Sequence, residues 1–435
     1  LSHYDYWQDS LRRSILCDSG ADILVYGMGE KPIVAIAKRL QEPSSNSPFI
    51  KGEGIGGGSI PQTAILYNNK EEIPGGIMPD DIVLNSHTEC LRDKRAEAAN
   101  FKHIEEESNK MHASRLIQEV EGKYIVVNAP YPPMTTEEID HSFDLPYTRL
   151  PHPRYKGKRI PAYDMIKHSV NIHRGCFGGC SFCTISAHQG KFISSRSERS
   201  IIAEVERVTK MPDFKGYLSD IGAPSANMYR MSGKNEELCK RCKRPSCLHP
   251  KLCPNMNNDH QPLLELYAKI RAVKGIKRAF VGSGIRYDLF DDSQYFETVV
   301  KHHTSGRLKV APEHTEDRVL NLMRKPSFTL FEKMNSRFKQ VCRREGLNYQ
   351  LIPYFISSHP GCQERDMASL AEKVLGNLHF SLEQVQDLTP TPMTLSSTMF
   401  YMGENPYTGE KIYVARSQDD KRKQKQYFFR KTNKN

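Results

Sequence analysis

The stretch "HRGCFGGCSFCTISAHQG", residues 173–190, places cysteines at 176, 180 and 183 and then no fourth. Thiolates are soft ligands suited to zinc and to iron–sulfur clusters. A structural metal site built by protein alone usually closes with four ligands, so a set of three asks what completes it. Glycines at 175, 178 and 179 let so short a loop wrap back on itself, because glycine tolerates positive φ. Three thiolates can hold three irons of a 4Fe–4S cube and leave the fourth iron open to a non-protein ligand. That separates a catalyst from an electron carrier. The alternative is a zinc ion completed by His173 or His188.

Six short apolar stretches surround this loop in the chain: "SVNIH", "GYLSD", "RAFVGSG", "LKVAPEH", "YQLIPYF" and "VQDLTPTPM". Helical patterns separate them. Met367, Leu370, Ala371, Val374, Leu375 and Leu378 recur at the spacing of one buried helix face over 364–380, and Ile201, Val205 and Val208 do so earlier. Strands alternating with helices predict a parallel sheet with right-handed crossovers. An eight-unit barrel needs more chain than residues 163–400 supply, so the expectation is a partial (β/α)6 TIM-like barrel. Polar residues follow the strand ends at Ser219-Asp220, Ser283-Gly284, Glu313-His314 and Ser357 to Gly361, the edge that carries chemistry in such folds.

C-x3-C-x2-C with Phe182 just before the last cysteine, opening a run of βα units, resembles the radical S-adenosylmethionine superfamily. The segments "SDIGAPSANMYR", "CKRCKRPSCLHPKLC", "GSGIRYDL", "VAPEHTEDRVLNLMRKP", "PYFISSHPGC" and "VQDLTPTPMTLSSTMFY" narrow the resemblance to the YgiQ family, over about residues 1–415. The resemblance implies a 4Fe–4S cluster on Cys176, Cys180 and Cys183 whose open iron chelates S-adenosyl-L-methionine. It also implies reductive cleavage to a 5′-deoxyadenosyl radical, fed by a reductant such as flavodoxin or ferredoxin. It supplies no substrate and no catalytic residue. The superfamily's Gly-Gly-Glu-type element after the second strand reads here Ser219-Asp220-Ile221-Gly222-Ala223, without the glutamate. Asp220, beside Gly222, is the candidate acceptor for the methionine amino group, and Glu313 and His314 are candidates near the ribose or substrate. For each the plain alternative is a structural hydrogen bond. Family members begin with more of a cobalamin-binding-like α/β region than this chain, which starts at Leu1 and reads as a fragment, with that region truncated.

A second set, Cys239, Cys242, Cys247 and Cys253, lies between the second and third strands. Four thiolates so close can close a zinc site or hold an auxiliary iron–sulfur cluster. The segment 235–258 is basic and proline-bearing with little apolar content, so metal would supply its folding energy. Cys362 stands where a substrate-facing thiol could stand, although a free cysteine is more often a small buried residue. Cys17, Cys90 and Cys342 read as packing.

The remaining chain is less specific. Residues 1–150 read as an α/β region: "ADILVYGMGE" as strand and "KPIVAIAKRL" as helix over 12–40, then a glycine loop "KGEGIGGGS" at 51–59 and an extended "IPQTAILYNN". No strand–turn–helix surrounds that glycine loop, so it is no dinucleotide fingerprint. Residues 95–120 read as helix, and the proline-rich run from Ala129 through a linker at 151–162 separates the regions. After Tyr401 comes a C-terminal extension, 401–435. Its stretch 416–435 carries eight Lys/Arg against two Asp, +6 of the chain's +11, and reads as a solvated, partly disordered tail rather than an RNA-binding arm. With no 18-residue apolar run, no membrane span is expected, and clustered cysteines in a large chain point to a cytoplasmic location. The rival functional reading is a zinc-stabilised RNA-binding module in which both cysteine groups are structural.

Overall fold

The computed structural model describes residues 1–41, 60–290, 293–380, 382 and 384–428. The glycine loop 51–59 lies outside them. All six expected barrel strands form. The first, Ser169–Asn171, pairs in parallel with Asp220–Gly222, and Tyr217–Leu218 just before it pairs in parallel with Arg278–Ala279. Arg307–Glu313, Gln350–Ser357 and Val385–Asp387 make a three-stranded parallel sheet. Parallel strands need a crossover, and helices Glu198–Thr209, Gln261–Ala272 and Phe328–Arg344 fall between them.

The partial barrel is closed by one large core. Val170, Leu218, Ala279, Leu308, Leu351 and Val385, one residue from each strand, belong to it together with the helix faces. Ile201, Val205 and Val208 are fully buried in that core, as their spacing predicts, and so are Met367, Leu370 and Val374. The helix carrying the latter is regular only over Glu364–Ala371 and widens to a π-type turn over Glu372–Asn377.

The N-terminal region is a five-stranded sheet with helices. Ile23–Val25, Thr63–Tyr67, Lys123–Val127 and Leu116–Val120 run antiparallel in that order, and Ile82–Val83 joins the edge in parallel. The helix Glu30–Gln41 follows the first strand as expected. The expectation of one helix over 95–120 is corrected: the helix is Lys94–Ser108, and Leu116–Val120 is a strand. Leu116, Ile117 and Val120 also satisfy a helical spacing. The tie is broken by Glu121-Gly122, at φ 54° and 81°, a two-residue left-handed turn that matches the twist of a hairpin.

Two further stretches are more ordered than their composition implies. Within the proline-rich run, Thr136–Asp144 is a helix with a complete capping box at Thr135 and Glu138. Its Asp140 accepts from the Ser197 N–H at 2.9 Å, and Phe143 lies under the guanidinium groups of Arg174 and Arg196. The basic C-terminal stretch contains the helix Gln418–Lys425, capped by Ser417 and Asp420, with Lys421 and Gln424 buried. Charge alone suggested solvent on every side. Instead the aliphatic stem of Lys421 and the amide of Gln424 form a docking face.

Candidate metal centre

The three-cysteine loop leaves the first barrel strand through His173–Arg174, which pairs antiparallel with Ser194–Ser195 and ties the loop's two ends. At Gly175, φ is 90° and a Cβ would overlap the Phe192 carbonyl, so only glycine fits. The Cys176 N–H donates to the Gly190 carbonyl at 3.1 Å, and Ser186 Oγ to the Cys176 carbonyl at 2.7 Å. Farther along, the Ser181 N–H reaches the Met323 carbonyl, and Ser181 Oγ meets Ser396 Oγ at 2.9 Å beside a buried His359. Phe182 stands edge-on to that imidazole, with ring centroids 6.2 Å apart. Cys176 and Cys180 are half-buried and Cys183 is exposed.

Neither histidine of the zinc alternative completes the set. His173 is fully buried with Nε2 3.0 Å from the Ser225 carbonyl, and burial pushes its pKa down to about 4. His188 lines a cavity of about 660 Å³ between the N-terminal sheet and the short helix Ile185–Gln189, with Tyr26, Asn128, Met134 and Thr184. Among the described residues no three His, Cys, Asp or Glu side chains converge on a single ion.

What faces the thiols is a cation. Arg286 Nη1 donates to Cys180 Sγ at 3.1 Å. The guanidinium is buried and held by Asp288 in a two-pronged pair at 2.9 and 2.5 Å, and Asn227 grips its backbone from both sides. Burial disfavours the Asp288 carboxylate, yet Arg286 outweighs it and holds the group below its usual range. Burial also pushes the Cys176 thiol up to about 12, with Arg286 pulling the other way. Such a thiol stays protonated alone and loses its proton to a metal. A Cβ at Gly178 would sit 3.0 Å from Arg286 Nη1 and 3.3 Å from Cys176 Sγ. Three soft donors, a glycine keeping the space clear and a buried compensating cation fit an iron–sulfur group.

Glu313 joins this centre. Strand Arg307–Glu313 slips register against its neighbour between Val310 and Glu313, and Glu313 itself has φ 68°. Such a bulge re-aims a side chain, and strain of this kind gathers at functional sites. The carboxyl is buried 3.7 Å from Lys325 Nζ; burial raises its pKa while Lys325 and Arg286 oppose. Glu313 and Lys325 both lie within electrostatic reach of Cys183. His314 points elsewhere, with Nε2 3.4 Å from the fully buried Cys362. Asp220 is engaged structurally: Oδ1 accepts from the Gly282 and Ser283 N–H groups at 2.8 and 3.1 Å, and Oδ2 from Ser283 Oγ. A Cβ at Gly222 would overlap both Asp220 and Ser283 Oγ.

The four cysteines of the second set lie within electrostatic reach of one another, without three of them converging on a single ion. Cys239, Cys242 and Cys253 act electrostatically on Cys247, whose thiol burial pushes up to about 11. Asn255 Nδ2 donates to Cys239 Sγ at 3.3 Å, and the buried Lys191 Nζ to Cys242 Sγ at 3.6 Å. A Cβ at Gly233 would overlap Cys239 Sγ and crowd Asn255 Nδ2, so one of those side chains would have to move. Sequence reasoning did not single out Arg286, Lys325 or Lys191. The readable signal for Arg286 was a lone cation just past an apolar strand in "AFVGSGIRYDL".

The family model described as Radical SAM N-terminal matches residues 1–169, and a domain of unknown function matches 383–435. A UPF0313 protein of Bacteroides thetaiotaomicron is 60% identical over 99% of this chain and 71% of its own length. A UPF0313 protein of Porphyromonas gingivalis is 56% identical, over 99% and 68%, and one of Methanocella arvoryzae 44%, over 97% and 68%. This chain belongs to the UPF0313 family. It is a YgiQ-like radical S-adenosylmethionine protein, an enzyme of that class. Among solved structures, the radical S-adenosylmethionine methyltransferase TsrM of Kitasatospora setae, with cobalamin and a [4Fe-4S] cluster bound, is similar at TM-score 0.46 and 13% identity. That match covers 86% of this chain and 52% of the other.

Proposed function

We propose that this UPF0313 chain generates a substrate radical from S-adenosyl-L-methionine, with Cys176, Cys180 and Cys183 holding a 4Fe–4S cluster. When bound, that pair supplies one-electron cleavage of a carbon–sulfur bond and a radical that abstracts hydrogen. The observation that carries the reading is the buried Arg286 at 3.1 Å from Cys180 Sγ, set by Asp288 beside three thiols on one glycine-rich loop. The buried Arg286 balances the negative charge of thiolate ligands from the protein side of the site. Gly178 keeps the space clear, Phe182 walls it, and Glu313 with Lys325 places a charged pair at the Cys183 side. Asp220 holds the loop after the third strand in position, and Gly222 makes room for it.

Cys239, Cys242, Cys247 and Cys253 hold a second thiolate-bound metal group in this reading, an auxiliary cluster or zinc. The RNA-binding alternative finds less support. Lys240 pairs with Glu237, Lys243 with Glu106, and Arg244 with the backbone carbonyls of His249 and Lys251.

The test is anaerobic reconstitution, followed by iron and sulfide analysis and a 5′-deoxyadenosine assay with dithionite. Slow cleavage is expected even without substrate, abolished by Cys176→Ala, Cys180→Ala or Cys183→Ala. Product at blank level from a fully loaded protein would overturn the proposal.

A further inference from the structure

The two cysteine loops are stitched together residue by residue. The Cys247 N–H donates to the Phe177 carbonyl at 3.0 Å, and Ser246 Oγ to the Gly178 carbonyl at 2.7 Å. Gly179, at φ 59°, presses so close to the Pro245 carbonyl that a Cβ would overlap it. Three consecutive residues of the first loop, 177–179, therefore rest on three consecutive residues of the second, 245–247. Ser246 Oγ also accepts from the Leu248 and His249 N–H groups at 3.0 and 2.9 Å, so one hydroxyl organises both chains. Phe177, Met231, Leu248 and Met256 form one buried cluster, and Cys176, Cys247 and Cys253 pack against it. On the far side Lys191, next to the Gly190 that holds the Cys176 N–H, donates to the Arg244 carbonyl at 2.9 Å as well as to Cys242.

This contact changes the expectation for two cysteine sets on separate loops, which is that each loads independently. We propose that the four-cysteine loop, with its metal bound, is the clamp that shapes the three-cysteine loop, so that emptying either site loosens the other. The proposal rests on the reading that Cys239, Cys242, Cys247 and Cys253 hold metal. A loop with few apolar side chains orders only if something offsets its chain entropy, and thiolate–metal bonds do so. Without them residues 245–247 are released. The Phe177 and Gly178 carbonyls then lose their partners, and the backbone at Gly179 loses the wall that fixes its turn. Coupling of this kind is reciprocal: each site strengthens the other by the same factor.

The experiment uses the whole chain, reconstituted anaerobically. Iron, sulfide and zinc are counted for the wild type, for Cys242→Ser with Cys253→Ser, for Ser246→Ala, and for the triple variant Cys176→Ala, Cys180→Ala, Cys183→Ala. The readouts are the rate at which a ferrous chelator strips each site and the change that S-adenosyl-L-methionine makes in the electron paramagnetic resonance of the reduced first cluster. Loss of the second metal should speed stripping of the first site about fivefold or more, and the triple variant should in turn speed loss from the second site. Ser246→Ala keeps all seven thiols and removes one hydrogen bond between the loops. It should speed stripping of the first site about two- to tenfold. A first site that strips at the wild-type rate, with an unchanged response, in a variant shown to lack the second metal would overturn the clamp and leave the second site standing. So would an unchanged rate in Ser246→Ala should the double variant fail to fold. A wild type that carries the metal of one site only would overturn the second-site reading, and the clamp with it.

Discussion

Glu97 is buried on the helix Lys94–Ser108, with Oε2 lacking a hydrogen-bond partner and the Cys90 thiol close by. Burial raises its pKa from the ordinary 4.5 to about 7. The folded chain thus keeps this proton over a range of pH in which the unfolded chain has lost it. Between about 4.5 and 7 stability falls as pH rises, because the unfolded state binds fewer protons. The drop is about 3 kcal/mol at its upper bound. Glu97→Gln should remove it, giving urea unfolding free energies that differ less between pH 5 and pH 8 than in the wild type. An unchanged difference would assign the pH dependence to other groups. At this scale the sequence was informative about thiols and poor about their neighbours. Cys176, Cys180 and Cys183 announce themselves by spacing, whereas Arg286 meets Cys180 across 106 positions of chain and Lys325 acts on Cys183 across 142, separations that only folding closes. Asp220 shows the converse: its place after a strand was readable, but its engagement with Gly282 and Ser283 was not.

The helix Gln418–Lys425 decides the fate of Cys362. Gln424 Oε1 accepts from the Cys362 thiol and from the Ser358 N–H, at 3.3 and 2.7 Å, and Gln424 Nε2 donates to the Cys362 carbonyl at 2.8 Å. Cys362 has no exposed surface, and burial pushes its pKa up to about 12, so it is neither ionised nor reachable. In the folded chain it should resist iodoacetamide, with labelling read by mass spectrometry. Gln424→Ala should admit the reagent, because the helix loses its central anchor and the Ser358 N–H its partner. If the variant labels no faster than the wild type, the cover is made by other elements. The helix pattern was itself legible, since Ser417 and Asp420 form a capping box. Composition hid it: a run of cations predicts solvent unless one knows what lies beneath. The hairpin at Glu121-Gly122 was hidden in the opposite way, behind apolar residues that fit two periods at once.

Over the whole molecule the partial barrel was readable because six apolar stretches, each short and bounded by polar residues, leave few ways to alternate strand and helix. The N-terminal sheet was harder: three of its four pairings are antiparallel, and antiparallel register is set by turns rather than by composition. The sequence holds no D-x-H-x-x-G, the usual loop with a cobalt-ligating histidine, and this chain spans 71% of the Bacteroides relative. Mixed with a corrinoid and passed through gel filtration, this chain should elute without the corrinoid's absorption bands, and those bands travelling with the protein, over and above any iron–sulfur absorbance, would refute that. The cover over Cys362 has one more consequence, in time rather than in space. Gln424 follows Cys362 by 62 residues, so on the ribosome the thiol is made first and its shield arrives only after those residues have been added. Until then, keeping that sulfur unoxidised falls to the surrounding solution and not to the fold.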